Sequence, residues 1–371
     1  MPILAPFARS LGATPFLVGL IVGMYSFFNI LGNVISGHFI DSRSWKKPVT
    51  VGILMIMISL FSYALAPSAV VLLVIRAFHG FAGGLVVPAT LVYLTKSSLR
   101  PGTDGLSKRM SFYGASIGLA SFTGPPFAGI LASIYGYERT YMVVAFLMGF
   151  AAILVIFFLK DNVNKNPATR KITPREYYDN ITNSSLLRLA FRFVFALMGA
   201  TGTLAAFLPF KAESLGASSA VTGGLFATFA ATAIVAQLFW PRLVVRFKLF
   251  NNALAGLCLI ILALTLIHYI ETYVALFFAL ALYGLGFGLL FPALLELVAR
   301  GSEAAWKGLA TGIFFVFFSL GAAIVPPFAG LLQQSQAVSP FFTAAAVSSL
   351  LILTMPKNQK RDLKRNNLGT L

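Results

Sequence analysis

The sequence predicts an all-helical protein that crosses a membrane many times. Of its 371 residues, 58% are hydrophobic and 11% are charged, whereas ordinary soluble domains carry roughly 25% charged residues. Apolar runs of roughly 17–25 residues, long enough to cross a bilayer as helices, recur along the chain with short polar segments between them. Several local sequences also occur twice, once in each half of the chain. These observations predict a polytopic membrane protein made of two related helical bundles.

Eleven apolar runs are predicted to be membrane spans. Several contain glycine and proline, which do not argue against helices here, because lipid cannot hydrogen-bond the backbone and small residues allow close helix packing. The predicted spans are 15–36, 48–66, 70–94, 109–134, 139–159, 186–207, 219–240, 250–269, 272–297, 308–332 and 338–355.

The net charge of +17 is distributed in a way that predicts orientation rather than nucleic-acid binding. If the basic tail 356–371 is cytoplasmic, 22 of the 28 Lys and Arg residues fall on that side. Such an excess of cytoplasmic Lys and Arg is the positive-inside pattern of membrane proteins. We therefore expect a multi-pass protein of the cell (plasma or inner) membrane, with the lipid bilayer as its surroundings and no nucleic-acid partner.

An internal repeat divides the chain into two halves in parallel orientation. It predicts an N-terminal bundle over 1–159, a cytoplasmic linker over 160–185, a C-terminal bundle over 186–355 and a basic tail over 356–371. The repeated sequences, offset by about 201–204 residues, are SLGA at 10–13 and 214–217, GFAGGLVVPA at 80–89 with GLGFGLLFPA at 284–293, and PPFAGIL at 125–131 with PPFAGLL at 326–332.

The repeat also predicts a span that the first half lacks. The second half has a span at 186–207 ahead of its SLGA, and the equivalent position in the first half falls before Met1. We expect a native gene product with twelve spans, of which this chain lacks the first through a misassigned start or a shortened form.

Three local patterns resemble the major facilitator superfamily. They are GHFIDSRSWKK at 37–47, RAFHG at 76–80 and GASIGLASFTGPPFAGIL at 114–131. The resemblance covers essentially the whole chain. It implies two pseudo-symmetric six-helix bundles and a substrate site between them near the middle of the bilayer.

The first pattern resembles the family's cytoplasmic signature after its second helix. The resemblance implies that Asp41 acts as a latch between the halves, held by the positive end of a helix that begins near Lys307. The residues next to Arg43 depart from the family's pattern, which predicts a weaker charge relay. The alternative is a solvated turn with basic residues that set topology. The residues concerned are Gly37, Asp41, Arg43 and Lys46.

The second pattern places Arg76 inside a span, with His79 in the position of a family glutamine. An arginine within a span is costly and usually faces a cavity or a partner. In related proton-coupled transporters this arginine is implicated in proton transfer or substrate positioning. The alternatives are that Arg76 extends to the membrane surface and that His79 is a packing residue.

The third pattern resembles the Gly-Pro signature of the antiporter branch. It predicts close helix packing and a bend that seals the outer side of the membrane against leak. The alternative is that glycine and proline are simply common in membrane helices. The residues are Gly114, Gly118, Gly124, Pro125 and Gly129.

Further candidates rest on polarity alone. Glu296 lies within a predicted span, which makes it a proton-site candidate, but Arg300 four residues later also permits an interfacial ion pair. Candidate residues of a substrate cavity are Tyr25, Asn29, Asn33, Tyr113 and Gln237.

The sequence thus favours a secondary transporter that exports a small amphipathic or drug-like compound in exchange for protons by alternating access. Proton-coupled or facilitated uptake of a sugar or other small metabolite is the alternative. An enzyme is not predicted, since the spans hold no reactive constellation. Three histidines and one cysteine, none of them clustered, predict neither a metal site nor a cofactor. We expect a monomer, with Cys258 packed in the interior.

Overall fold

The computed structural model describes residues 3–42, 46–96, 103–159, 184–247, 249–302, 307–336 and 338–355. Within these ranges the chain forms twelve helices. They are α1 (Leu4–Ser10), α2 (Pro15–Ser42), α3 (Lys46–Ala64), α4 (Ala69–Lys96), α5 (Thr103–Tyr135), α6 (Tyr137–Phe158), α7 (Ser185–Ser214), α8 (Ser219–Phe247), α9 (Leu249–Tyr269), α10 (Tyr273–Gly301), α11 (Lys307–Gln334) and α12 (Pro340–Leu353).

The predicted all-helical membrane fold is confirmed. In the part of the chain that the structure describes, nine helices are long and apolar enough to cross a membrane, namely α2 to α4 and α6 to α11. The other two predicted spans coincide with α5, which has 33 residues, and with α12, an apolar helix of 14 residues. Several helices run past the apolar runs; α2 continues from the predicted end at 36 to Ser42, because nothing in GHFIDS breaks a helix. The predicted linker, up to residue 183, and the tail from 356 lie outside the described residues.

The turns that follow α1 and α7 show the repeat in the backbone. Both contain SLGA, and their glycines adopt the left-handed region, with φ of 83° at Gly12 and 82° at Gly216. In each turn the amide after the glycine donates to a carbonyl five residues earlier at 3.0 Å, which closes the helix end. We call this end of the bundle the Gly12 face and the opposite end, where α7 begins, the Ser184 face.

The two halves pack alike except around α5. In the C-terminal half α11 lies against α7, and a methyl group added at Gly199 would meet the Val325 side chain at 2.5 Å. The equivalent face of α5 is exposed: the side chain of Leu119 is 64% accessible. A methyl group at Gly124 would meet no atom within 4 Å. The short helix α1 instead covers the Gly12-face end of α7, burying Phe7 and Ala8.

Cys258 does not have the packed position expected for it. It is exposed on α9, while Leu257 and Ile260 on the same helix are buried. An apolar run does not distinguish lipid-facing from core positions, because both are apolar in a membrane protein.

Candidate functional site

Arg76 lies inside the N-terminal half, about 10 Å along α4 from the Gly12 face at the usual helical rise. The residue is 4% exposed, so its guanidinium does not reach the membrane surface. Its Nε donates to the Ile21 carbonyl at 3.2 Å, and its Cζ lies 4.6 Å from the centre of the Tyr25 ring. The Nη2 atom is buried without a hydrogen-bond partner. No ion pair to Arg76 is formed by the residues that the structure describes.

Aromatic side chains from three other helices surround this cation. His79 lies one turn after Arg76. Its Nδ1 forms a hydrogen bond with the Tyr63 hydroxyl at 2.9 Å, with the donor set by the tautomer of the imidazole. Tyr63 packs in turn against Tyr141, with ring centres 5.0 Å apart. The hydroxyl of Tyr141 is buried without a partner. Arg76, Tyr25, Tyr63, His79 and Tyr141 form what we call the Arg76 cluster.

Sequence analysis named residues of this cluster on α2 and α4 but none of those on α3 and α6. Tyr63 and Tyr141 lie near the ends of apolar runs, among 12 tyrosines in the chain. Their spacing from Arg76 gives no signal, because the contact is between helices. Only a prediction of which helices pack together would have found them.

The predicted cavity residues have different surroundings. Tyr25 belongs to the Arg76 cluster. Asn29 donates from Nδ2 to the Gly80 carbonyl of α4 at 3.3 Å and accepts from Asn33 of its own helix at 3.0 Å, so Asn29 joins α2 to α4. Gln237 is exposed on α8. The Tyr113 side chain lies outside the described residues.

The antiporter-type motif lies at a close contact between the halves, which we call the α5–α8 seam. A methyl group at Gly223 of α8 would meet the Pro125 carbonyl oxygen at 2.6 Å and the Pro126 Cα at 2.9 Å. Gly129 lies equally close to the Ser219 carbonyl. Such contacts join backbone to backbone, so any side chain there would force the helices apart.

The other motif glycines are not in this seam. A methyl group at Gly118 would make only ordinary contact with Ile234, at 3.5 Å, and Gly124 faces open space. The close packing predicted for the motif therefore occurs at Gly129 and Pro125. The surroundings of Gly114 are outside what the structure describes. α5 continues as one helix through both prolines.

A second seam, between α2 and α11, repeats this geometry. A methyl group at Gly19 would lie 2.8 Å from the Pro327 Cα and still closer to the Pro326 carbonyl. Gly330 meets the backbone of Pro15 in the same way. Gly19 and Gly223 are 204 residues apart, which is the offset of the repeat. Both seams lie in the Gly12 half of the molecule, whereas a methyl group at Gly312, in the other half of α11, would meet no atom within 4 Å.

The predicted latch motif is only partly described. Gly37 and Asp41 lie in the last turns of α2, but the surroundings of Gly37 and the side chain of Asp41 are outside what the structure describes, and so is Arg43. Lys46 begins α3 and donates from Nζ to the Ile156 carbonyl of α6 at 2.9 Å. α11 begins at Lys307 as predicted. The latch between Asp41 and this helix end stays a prediction.

Glu296 forms the ion pair that its spacing permits. Its Oε1 accepts from Nη2 of Arg300, and the two side chains are 26% and 49% exposed. The pair lies at the Ser184-face end of α10. A coupling role for Glu296 stays a prediction.

An aromatic cluster lines α10 and α11 in the Ser184 half. The rings of Phe287 and Phe291 stack with centres 5.6 Å apart, and Phe291 also contacts Phe314 and Phe318. This cluster offers apolar and π surface to a ligand. No group of three metal-ligating side chains comes together in the described ranges.

The profile of the family described as Major Facilitator Superfamily matches residues 1–326 and again residues 189–368. The chain belongs to the major facilitator superfamily. It is a multi-pass membrane transporter, as members of this family are.

Curated relatives within the superfamily are similar over nearly their whole length. An uncharacterised MFS-type transporter of Methanocaldococcus jannaschii is 24% identical, covering 95% of this chain and 91% of the relative. Multidrug resistance protein 1 of Bacillus subtilis is 23% identical, covering 90% and 85%. Quinolone resistance protein NorA of Staphylococcus aureus is 21% identical, covering 99% and 94%.

Solved structures agree on the superfamily fold. The peptide transporter POT in complex with sulfate has a TM-score of 0.79 at 16% identity, covering 99% of this chain and 91% of that chain. The nucleoside transporter NupG has a TM-score of 0.75 at 17% identity, covering 95% and 93%. At such identities the likeness speaks for the fold alone.

Proposed function

We propose that this transporter exports a small amphipathic or drug-like compound in exchange for protons, by alternating access across the cell membrane. The observation that carries the proposal is the α5–α8 seam, where Pro125, Pro126 and Gly129 of the motif lie backbone to backbone against α8 at the Gly12 face. The similarity to two drug-resistance proteins over 85% and 94% of their lengths supports the same function. The charge asymmetry of the sequence supports a cytoplasmic C-terminus, which makes the Gly12 face the external one.

In this mechanism the described state is closed to the outside. The two seams are equivalent by the repeat, so one rocking motion of the halves opens or closes both. A compound from the cytoplasm or inner leaflet reaches the space between the halves from the Ser184 face. The aromatic cluster around Phe291 provides apolar contact for such a compound.

The Arg76 cluster serves proton coupling in this proposal. A guanidinium buried with a free Nη2 donor raises the cost of any further positive charge nearby and attracts an anionic or proton-accepting group. When such a group is bound to Arg76, the hydrogen-bonded pair of His79 and Tyr63 offers a route for a proton beside it. In this proposal substrate and proton compete at one charged centre, Arg76. Such competition is what couples the export of one to the import of the other.

Everted membrane vesicles test this proposal directly. A pH gradient, acid inside, is followed by a fluorescent dye while a lipophilic cation is added. Vesicles with the transporter should lose part of the gradient, and vesicles with Arg76→Met at equal expression should not. The matched control Arg139→Gln removes an exposed cation outside the cluster and should behave like the unmodified protein.

The uptake alternative predicts a different result. If the gradient is unaffected by lipophilic cations although the protein is inserted, export of such compounds is wrong. Accumulation of labelled sugars or nucleosides in whole cells, lost in Arg76→Met, would then establish uptake.

A further inference from the structure

Helix α1 lies between the two halves at the Gly12 face and contacts both. Four of its seven residues are buried, namely Leu4, Ala5, Phe7 and Ala8. The helix packs against α2 and α4 of the N-terminal half and against α7 of the C-terminal half. Phe7 and Arg9 are two residues apart, so their side chains point to different sides of the helix.

Phe7 connects α1 to the Arg76 cluster. It is 1% exposed, and its ring centre lies 5.5 Å from that of Tyr141 on α6. Tyr141 packs on Tyr63 with ring centres 5.0 Å apart, and the Tyr63 hydroxyl lies 2.9 Å from Nδ1 of His79. We call Phe7, Tyr141, Tyr63 and His79 the aromatic row. Because each of these closely packed rings touches the next, a shift of the first changes the support of the last.

Arg9 connects the same helix to the C-terminal half. Its Cζ lies 5.2 Å from the centre of the Phe210 ring on α7, which is a cation–π contact. Its Nη1 lies 3.9 Å from Oε2 of Glu213, also on α7. The turn after α1 leads directly into Pro15, which meets Gly330 in the seam between α2 and α11. Opening of the Gly12 face separates these partners, so the position of α1 depends on the state of that face.

The repeat does not reproduce the aromatic row in the C-terminal half. At the offset of 204 residues, Phe7 corresponds to Lys211 and Tyr63 to Ile267. Ile267 is fully buried, so aliphatic packing satisfies the same fold at that position. The aromatic row is therefore not required by the fold. Its presence in the half that holds Arg76 indicates a task connected with that residue.

We propose that Phe7 is a positioning residue for His79, and that α1 transmits the state of the Gly12 face to the Arg76 cluster. With the face closed, the contacts of Arg9 hold α1 in place. Phe7 then supports Tyr141 and, through it, Tyr63. The Tyr63 hydroxyl keeps its hydrogen bond to His79. With the face open, α1 is released on its α7 side and this support loosens.

The consequence is a proton route that is complete in one state only. Transfer along Tyr63 and His79 needs the hydrogen bond between them, so a proton does not pass along this route while the Gly12 face is open. A leak of protons is thereby suppressed. This consequence rests on the proton exchange of the proposed function, whereas the mechanical link from Arg9 to His79 does not.

Nuclear magnetic resonance of His79 tests the link without any transport. The purified full chain is labelled with carbon-13 at histidine Cε1, and the His79 signal is identified among the three histidines by its loss in His79→Gln. Arg9→Met should move this signal by more than its line width, although Arg9 points away from the aromatic row. Phe210→Leu, on the other half, should move the signal in the same direction.

Two further variants separate the link from general effects. Arg139→Gln removes an exposed cation at the Gly12 face and should leave the His79 signal in place, which controls for a change of surface charge. Arg9→Lys keeps a cation near Phe210 and should move the signal less than half as far as Arg9→Met. An unmoved signal in both Arg9→Met and Phe210→Leu, or an equal shift in Arg139→Gln, would overturn the link.

Proton counting in everted vesicles tests the role of Phe7 in coupling. Phe7→Leu keeps α1 apolar but removes the ring that supports Tyr141, so it should lower the number of protons moved per substrate molecule at least twofold. Phe207→Leu makes the same substitution at another buried ring of the Gly12 half and should leave that ratio unchanged. A slower rate with an unchanged ratio in Phe7→Leu would overturn the positioning role, because a merely structural residue behaves in that way.

Failure of the proposed function gives a different pattern. If the unmodified protein moves no protons in response to substrate, proton exchange is wrong, and the His79 signal alone decides whether α1 acts on the Arg76 cluster. If protons move but the signal ignores both Arg9→Met and Phe210→Leu, exchange stands and the link through α1 is wrong.

Discussion

Arg76 is a cation held inside the N-terminal half with one donor unused. Insertion of an arginine at the centre of a span costs roughly 2.5–3.5 kcal/mol, and its contacts to the Ile21 carbonyl and the Tyr25 ring recover only part of that. A residue that weakens the fold in this way is expected to be retained for function.

The first prediction concerns Arg76→Met. The variant should unfold at the same temperature as the unmodified protein or higher, because an uncompensated charge is replaced by an apolar side chain of similar length. Its transport should fall at least tenfold. Thermal unfolding in detergent and vesicle transport measure the two effects on one preparation. A variant with lower unfolding temperature and normal transport would show Arg76 to be structural.

The second prediction concerns Glu296→Gln. Exposed ion pairs contribute about 0–1 kcal/mol, so this variant should keep transport within twofold and lose little stability. Arg300→Gln should behave in the same way, since either substitution removes the ion pair between Glu296 and Arg300. A tenfold loss of transport in Glu296→Gln alone would instead support proton coupling at this carboxylate.

Sequence reasoning selects residues whose chemistry contrasts with their surroundings. Arg76 was found because it is charged within an apolar run. Tyr63 and Tyr141 were missed, since each is brought into the Arg76 cluster by the packing of another helix. Asn29 donates to the Gly80 carbonyl of α4, and its place in a substrate cavity stays a prediction, because polarity alone does not distinguish a ligand contact from a packing hydrogen bond.

At the scale of elements, the glycines of α5 have two different kinds of surroundings. Gly129 lies against the backbone of α8, whereas Gly124 faces open space. The family resemblance groups the two glycines in one motif, but their packing predicts that transport is more sensitive to substitution at Gly129 than at Gly124.

The third prediction compares Gly129→Ala with Gly124→Ala. A methyl group at Gly129 overlaps the Ser219 carbonyl, and overpacking of this kind costs about 1–3 kcal/mol. Transport should fall roughly five- to 150-fold if that cost acts on the closed state. Gly124→Ala is the matched control and should stay within twofold. Initial transport rates at equal expression measure both, and equal loss in the two variants would contradict a role for the seam.

Helices were predicted well because apolar length is a strong local signal in membranes. The ends were less accurate, since a helix such as α2 continues beyond its apolar run to Ser42. The seven residues of α1 gave no signal, being too short and too polar at Arg9 to stand out. The exposed face of α5 was not predicted either, because it depends on which helices lie beside it.

At the scale of the whole molecule, the repeat makes the two seams equivalent, and we expect them to open and close together. Gly19 against Pro326 and Pro327 repeats Gly223 against Pro125 and Pro126. Rigid halves have a single closed arrangement at the Gly12 face, so both seams report the same equilibrium.

The fourth prediction tests this equivalence. Spin labels at Pro67→Cys and Glu271→Cys, in a Cys258→Ser background, report the opening of the Gly12 face. Gly19→Ala and Gly223→Ala should each shift the distances between these labels toward the open face, by similar amounts. The double variant should add little once the face is open, because the second seam is then already apart. Independent, fully additive shifts would show that the seams open separately.

The seams also separate two demands on the protein's evolution. Their contacts are made by main-chain atoms and glycine, so they contain no side chain whose change could alter substrate preference. The residues that face a ligand, in contrast, are free to vary without touching the seal. A lineage built on this chain can therefore acquire new substrates by mutation while its barrier to leak stays the same.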